Sequence, residues 1–158
     1  MQKTSEYWMM QAVQLAAENV RSGQGGPFGA LIVKDGEMIA SGVNLVTTQN
    51  DPTAHAEIVA IRRACEALKT FQLEGCELYA SCEPCPMCLG AIYWARPAAY
   101  YFACTRADAA QAGFDDAFIY EQLPLRPQER SIPTRRIPVE NASAPFELWA
   151  RSPQKRLY

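Results

Sequence analysis

The positions Trp8, Ala12, Leu15, Ala16 and Asn19 or Val20 recur at helical spacing between polar residues, which predicts an amphipathic helix over residues 5–21 with Ser5 as its cap. Gly23, Gly25, Gly26 and Pro27 end it. No Gly-Lys-Ser/Thr follows, so this cluster reads as a tight turn into a strand and not as a phosphate loop. Two apolar runs, 28–34 and 37–43, flank Asp35-Gly36, the pattern of a β-hairpin. Asn44 stands at the exit of the second run, either as a turn residue or as an amide facing a substrate edge. Residues 53–70 return to the helical period. Ile58, Val59, Ile61, Ala64, Cys65 and Leu68 form the apolar side, and Arg62, Arg63, Glu66 and Lys69 the solvated one. A short strand over 77–81 and a helix over 86–95 follow, the helix with Leu89, Ile92 and Tyr93 inward. Residues 98–103 are apolar on both faces, which predicts a central strand.

The order α-β-β-α-β-α-β predicts a mixed sheet covered by helices, a three-layer α/β/α arrangement. Right-handed connections would bring the helices at 53–70 and 86–95 side by side on one face. A short helix over 105–111 leads to Gly113-Phe114-Asp115-Asp116, where one acid can cap a helix while the other faces a pocket. From Glu121 the chain changes character, broken by Pro124, Pro127, Pro133, Pro138 and Pro145. Residues 1–120 therefore read as the core, and 121–158 as an arm ending in a helix at 145–151, capped by Ser143 and carrying Phe146 and Trp149 as anchors. Such an arm suits a partner subunit.

With 158 residues, 49% hydrophobic and 20% charged, the chain is of single-domain size. A net charge of −2 offers no broad surface for a polyanion. No run reaches the roughly 18 apolar residues of a membrane span, and the first residues are too polar for a signal peptide. Six cysteines then point to a reducing, cytoplasmic setting. Cys65, Cys76 and Cys104 sit in apolar patterns and read as core residues, whereas Cys82, three before Cys85, is ambiguous.

Two stretches carry chemistry: His55-Ala56-Glu57 and Pro84-Cys85-Pro86-Met87-Cys88. His55 is the one histidine in the chain. An imidazole and two thiols supply three zinc ligands, and three protein ligands leave the fourth tetrahedral position open, as catalytic zinc requires. The His-x-Glu and Pro-Cys-x-x-Cys pair is the mark of zinc deaminases, in which the Glu is an acid/base and not a ligand. Pro86 suits a first helical position, so Cys85 and Cys88 would stand at a helix N-terminus, whose dipole favours thiolate. Residues two apart in a regular helix point about 200° from each other. His55 and Glu57 therefore converge only if His55 sits at the helix entrance, and Asp51-Pro52-Thr53 supplies the break.

These stretches resemble the cytidine deaminase superfamily. Asp51-Pro-Thr-Ala-His-Ala-Glu57, the Ser81–Arg96 stretch, Ala112-Gly-Phe-Asp-Asp-Ala-Phe-Ile-Tyr120 and the terminal Tyr158 are more narrowly similar to bacterial guanine deaminases. That resemblance implies the cytidine-deaminase-like α/β/α fold with a central mixed sheet of five strands. It implies one catalytic zinc per subunit on His55, Cys85 and Cys88, with Glu57 as proton shuttle and a hydroxide at the open position attacking C2 of guanine. Asp116 would contact the purine and help the ammonia leave. Phe28, Asn44 and Ala56 would hold the ring, and Tyr158 would arrive from a partner in a homodimer that exchanges C-terminal segments. The expected reaction yields xanthine and ammonia from free guanine, with neither nucleic acid nor membrane as partner. The competing readings are a tRNA adenosine deaminase, a cytosine or cytidine deaminase, and a structural zinc module.

Overall fold

The computed structural model describes residues 3–158, which separate into two units, 3–116 and 117–158. The first is built around four strands: β1 (Gly29–Lys34), β2 (Glu37–Val43), β3 (Cys76–Cys82) and β4 (Ala99–Cys104). Their order is β2-β1-β3-β4, with β1 antiparallel to both neighbours and β3 parallel to β4. Asp35 and Gly36, at φ 51° and 77°, make the left-handed turn that joins β1 to β2.

Helix α1 (Ser5–Arg21) covers one face. Its Trp8 and Ala12 pack on Leu31, Val33 and Tyr79. Helices α3 (Ala56–Leu68) and α4 (Pro86–Ala95) cover the other, where Ala56, Ala60, Ala64, Ile92 and Ala95 meet Ala30, Ile32, Leu78 and Ala80. Alternate residues of β1 thus serve opposite layers, and the strand is buried on both faces. A single helical turn, α2 (Val46–Gln49), lies between β2 and α3, and α5 (Arg106–Gln111) follows β4. The α/β/α layering and the shared face of α3 and α4 are as the sequence predicts.

Gly42 sets how closely α3 approaches β2. A Cβ there would run into the carbonyl oxygen of Ala56 and lie 2.5 Å from the backbone nitrogen of Ala60. The first turn of α3 rests directly on backbone.

Several expectations need correction. Among the described residues the sheet has four strands, not five. After β4 the chain enters helix at once, and no further strand follows among the described residues. For the same reason β4 is an edge strand and not a central one, with Tyr101 and Phe102 exposed. Thr4, not Ser5, caps α1, its hydroxyl accepting from the Tyr7 backbone N–H at 3.2 Å. Ser5 instead lies 3.2 Å from the Tyr79 hydroxyl. Tyr93 is exposed because the buried side of α4 runs through Cys88, Ile92 and Ala95, one residue out of step with it. Cys104 is exposed at the end of the edge strand.

In the second unit, α6 (Ala117–Gln122), a 3-10 turn (Pro127–Glu129) and α7 (Ala144–Arg151) are joined by irregular chain. Neither helix buries a residue. Ile132, Ile137, Val139, Phe146 and Leu148 are all exposed, so this unit has no apolar core of its own. No helix among the described residues is long and apolar enough to cross a membrane.

Candidate active site

The approach to α3 is held by Asp51. Its Oδ1 accepts from the Thr53 backbone N–H at 2.8 Å and from the Thr53 hydroxyl at 2.7 Å. These bonds hold the Asp51 carboxyl below the usual carboxylate range. The chain then reaches His55 in extended conformation, φ −68° and ψ 156°, as the N-cap of α3. This is the entrance position that the His-x-Glu spacing demands. Helix α4 begins in the same way: Cys85 is its N-cap, at φ −65° and ψ 168°, and Pro86 takes the first helical position. Two helix N-termini therefore meet on one side of the sheet.

There His55 Nδ1 lies 3.5 Å from Cys85 Sγ and 3.5 Å from Cys88 Sγ. The three ligand atoms all fall within 4.8 Å of one another, and among the described residues no other such group forms. Tetrahedral zinc, with Zn–S about 2.3 Å and Zn–N about 2.0–2.1 Å, sets its sulfur and nitrogen ligands about 3.6 Å apart. One nitrogen and two sulfurs at this spacing fit zinc.

Cys85 is the group held as a thiolate. A hydrogen bond from Cys88, and then the His55 ring, lower the Cys85 thiol to about 4. Cys88 is pushed up, first by sharing its proton with Cys85 and then by burial. His55 is raised chiefly by its bond to Cys85. Cys82 stands outside the group. Its thiol donates to the Thr105 carbonyl at 3.5 Å, and burial raises it to about 11.

Glu57 is buried in the first turn of α3, with Oε2 3.4 Å from Cys88 Sγ. Burial raises its pKa. Asp116 is half-buried and likewise raised, by burial first and the negative charge of Cys85 afterwards, whereas Asp115 is exposed. Phe28 is half-buried, its ring edge-to-face with Phe114 at 5.0 Å. Asn44 is buried and its Oδ1 accepts from the Val46 N–H at 3.3 Å. Ala56 is fully buried at the start of α3. Tyr158 lies in the second unit and is exposed. Asn19, read in the sequence only as a helix-face position, is buried and bonded to the backbone of Asn44 at 2.9 Å. Polarity at an otherwise apolar position of α1 was the signal for it.

Residues 2–104 match the family described as the cytidine and deoxycytidylate deaminase zinc-binding region. The chain belongs to this deaminase family. Within it, a guanine deaminase of Bacillus subtilis (strain 168) is 55% identical over 153 residues, covering 97% of this chain and 98% of that protein. A crystal structure of the Bacillus subtilis guanine deaminase is similar with a TM-score of 0.97 at 54% identity, covering 99% of each chain. A tRNA-specific adenosine deaminase of Aquifex aeolicus (strain VF5) is 47% identical, but over 91 residues only, 58% of this chain and 60% of that protein. Resemblance to the deaminase family at large thus rests on the zinc region, and resemblance to guanine deaminase extends through the second unit.

Proposed function

We propose that this deaminase hydrolyses guanine to xanthine and ammonia, with Glu57 as its proton carrier. The observation that carries the reading is a buried carboxylate, not itself a ligand, beside a nitrogen–sulfur–sulfur triad of zinc spacing. His55, Cys85 and Cys88 would hold the zinc, which would supply a Lewis acid able to bring the pKa of a water to about 7. Glu57 Oε2 takes one proton from the water as its oxygen bonds C2 and gives that proton to the adjacent ring nitrogen; it then carries the proton of the new C2 hydroxyl to the amine, which leaves as ammonia while C2 becomes a carbonyl. Atoms balance as guanine plus water giving xanthine plus ammonia.

The remaining side chains hold the ring. Asp116 accepts from the purine N–H groups, and its half-buried setting keeps that acceptor from being spent on bulk water. Asn44 donates through Nδ2, because its Oδ1 is engaged by Val46. Phe28 stacks on the base, braced by Phe114. Ala56 offers the N–H of a first helical residue, which has no partner inside its own helix. A substrate that cannot meet these polar groups leaves them unpaired, at about 1–3 kcal/mol each.

The second unit is the arm of a homodimer whose subunits exchange residues 121–158, bringing Tyr158 to the partner's purine site. Two features support this: an arm without a core of its own, and an apolar edge strand β4 with Tyr101 and Phe102 exposed. The reducing cytoplasm suits six cysteines, all of them free.

The test is ammonia release by zinc-loaded protein from guanine, adenine, cytosine, cytidine and an adenosine-bearing RNA stem-loop. Guanine is expected to be the preferred substrate. Preference for cytidine or for the RNA would replace the reading with one of its rivals. Removing the last four residues should leave the melting temperature of the core intact while turnover falls, and an unchanged rate would take Tyr158 out of the site.

A further inference from the structure

We infer that Asn19 is a positioning residue for the purine site, acting through Gly26, Phe28 and Asn44; this rests on the roles proposed above for Phe28 and Asn44. Asn19 lies near the end of α1 and is only 3% exposed. Its Nδ2 donates to the carbonyl of Gly26 at 2.9 Å and to the carbonyl of Asn44 at 2.9 Å. Two further backbone bonds complete a closed circuit. The Phe28 N–H donates to Gly26 O at 2.9 Å, and the Asn44 N–H donates to Phe28 O at 3.2 Å. One amide group therefore pins together the two segments that carry the ring-stacking phenyl and the ring-bonding amide.

The circuit has no slack. A Cβ at Gly25 would collide with the Asn44 carbonyl and lie 3.2 Å from Asn19 Nδ2. Nor does Asn19 serve merely to fill space. Its Oδ1 is buried and has no partner among the described residues, a cost that an apolar side chain of the same size would avoid. What Leu could not supply is a pair of N–H donors on one atom, and Asp could not supply them either. Both donors are in use, one on the backbone of Gly26 and one on that of Asn44. The Asn44 side chain is aimed in turn: Val46 N–H occupies its Oδ1, and among the described residues its Nδ2 has no hydrogen-bond partner and is free to donate.

Asn19→Asp keeps the shape and loses both donors. Asn19→Leu loses the donors together with the unpaired acceptor, and so tolerates burial better. Both variants and the parent are to be measured with full zinc for kcat and KM on guanine, and for inhibition by xanthine. Loss of ring positioning weakens binding of substrate and product together, so KM and the xanthine inhibition constant should both rise about tenfold while kcat stays within about threefold. A merely structural role would lower the melting temperature and leave those constants alone. A folded, zinc-loaded Asn19→Leu protein with parental KM would overturn the inference, as would loss of folding in both variants. A parent protein inert toward guanine would overturn the inference and the reading beneath it together; an active parent with unchanged variants would overturn the inference alone.

Discussion

Replacing Glu57 with Gln alters one atom of a side chain that is 7% exposed and sits 3.4 Å from the Cys88 sulfur. The amide has the same shape and cannot carry a proton. A positioned acid/base is worth roughly 10²–10⁴ in rate, or about 2.7–5.5 kcal/mol at 1.36 kcal/mol per factor of ten. Glu57 is a buried carboxylate beside the ligand atoms, which places it toward the upper end. Glu57→Gln is therefore expected to lower kcat about 10³–10⁴-fold. Zinc content should remain one per chain, since Glu57 lies outside the ligand group. The melting temperature should not fall, because the change removes a buried charge. The assay is xanthine formation followed by ultraviolet absorbance at saturating guanine, with zinc determined by elemental analysis on the same sample. A kcat within tenfold of the parent at full zinc would refute the shuttle. Loss of zinc along with activity would refute it differently, by making Glu57 a ligand.

Cys88→Ser puts a hard oxygen where zinc prefers sulfur, and should leave less than about a tenth of the zinc and no measurable turnover; chelation of the parent should abolish ammonia release and added zinc restore it, and activity surviving chelation would remove the metal from the mechanism. Gly42→Ala drives a methyl into the backbone of Ala56 and Ala60, so the urea midpoint should fall by the equivalent of about 1–3 kcal/mol and zinc should bind more weakly, because His55 directly precedes the displaced turn; an unchanged midpoint would show that α3 has room to move. Asp51 has its pKa lowered by bonds from Thr53, so the folded chain holds this proton less tightly than the unfolded chain does. Its contribution is full above the unfolded value near pH 4 and is lost as pH falls through the folded value. Asp51→Asn should accordingly lower the melting temperature at pH 7 and have little effect at pH 2, and an equal loss at both would count against the Asp51 turn.

Much of the site was legible because its determinants are local. Asp51 and Thr53 break the chain before α3, Pro86 starts α4, and both act through the backbone of their immediate neighbours. The extended entrances at His55 and Cys85 follow from residues within a few positions of them, and so does the hairpin at Asp35-Gly36. The sequence by itself determined which side chains can hold zinc and which helix starts present them. Only the tertiary structure decided what covers each apolar face. An apolar pattern shows that a strand or helix face seeks cover, not which segment provides it, and so β4 proved an edge, Tyr93 turned outward and Cys104 stood exposed. The bond from Asn19 to Asn44 spans 25 residues, and the rest of α3 on Gly42 joins a strand to a helix; burial and pairing are relations between distant segments, which no local preference encodes.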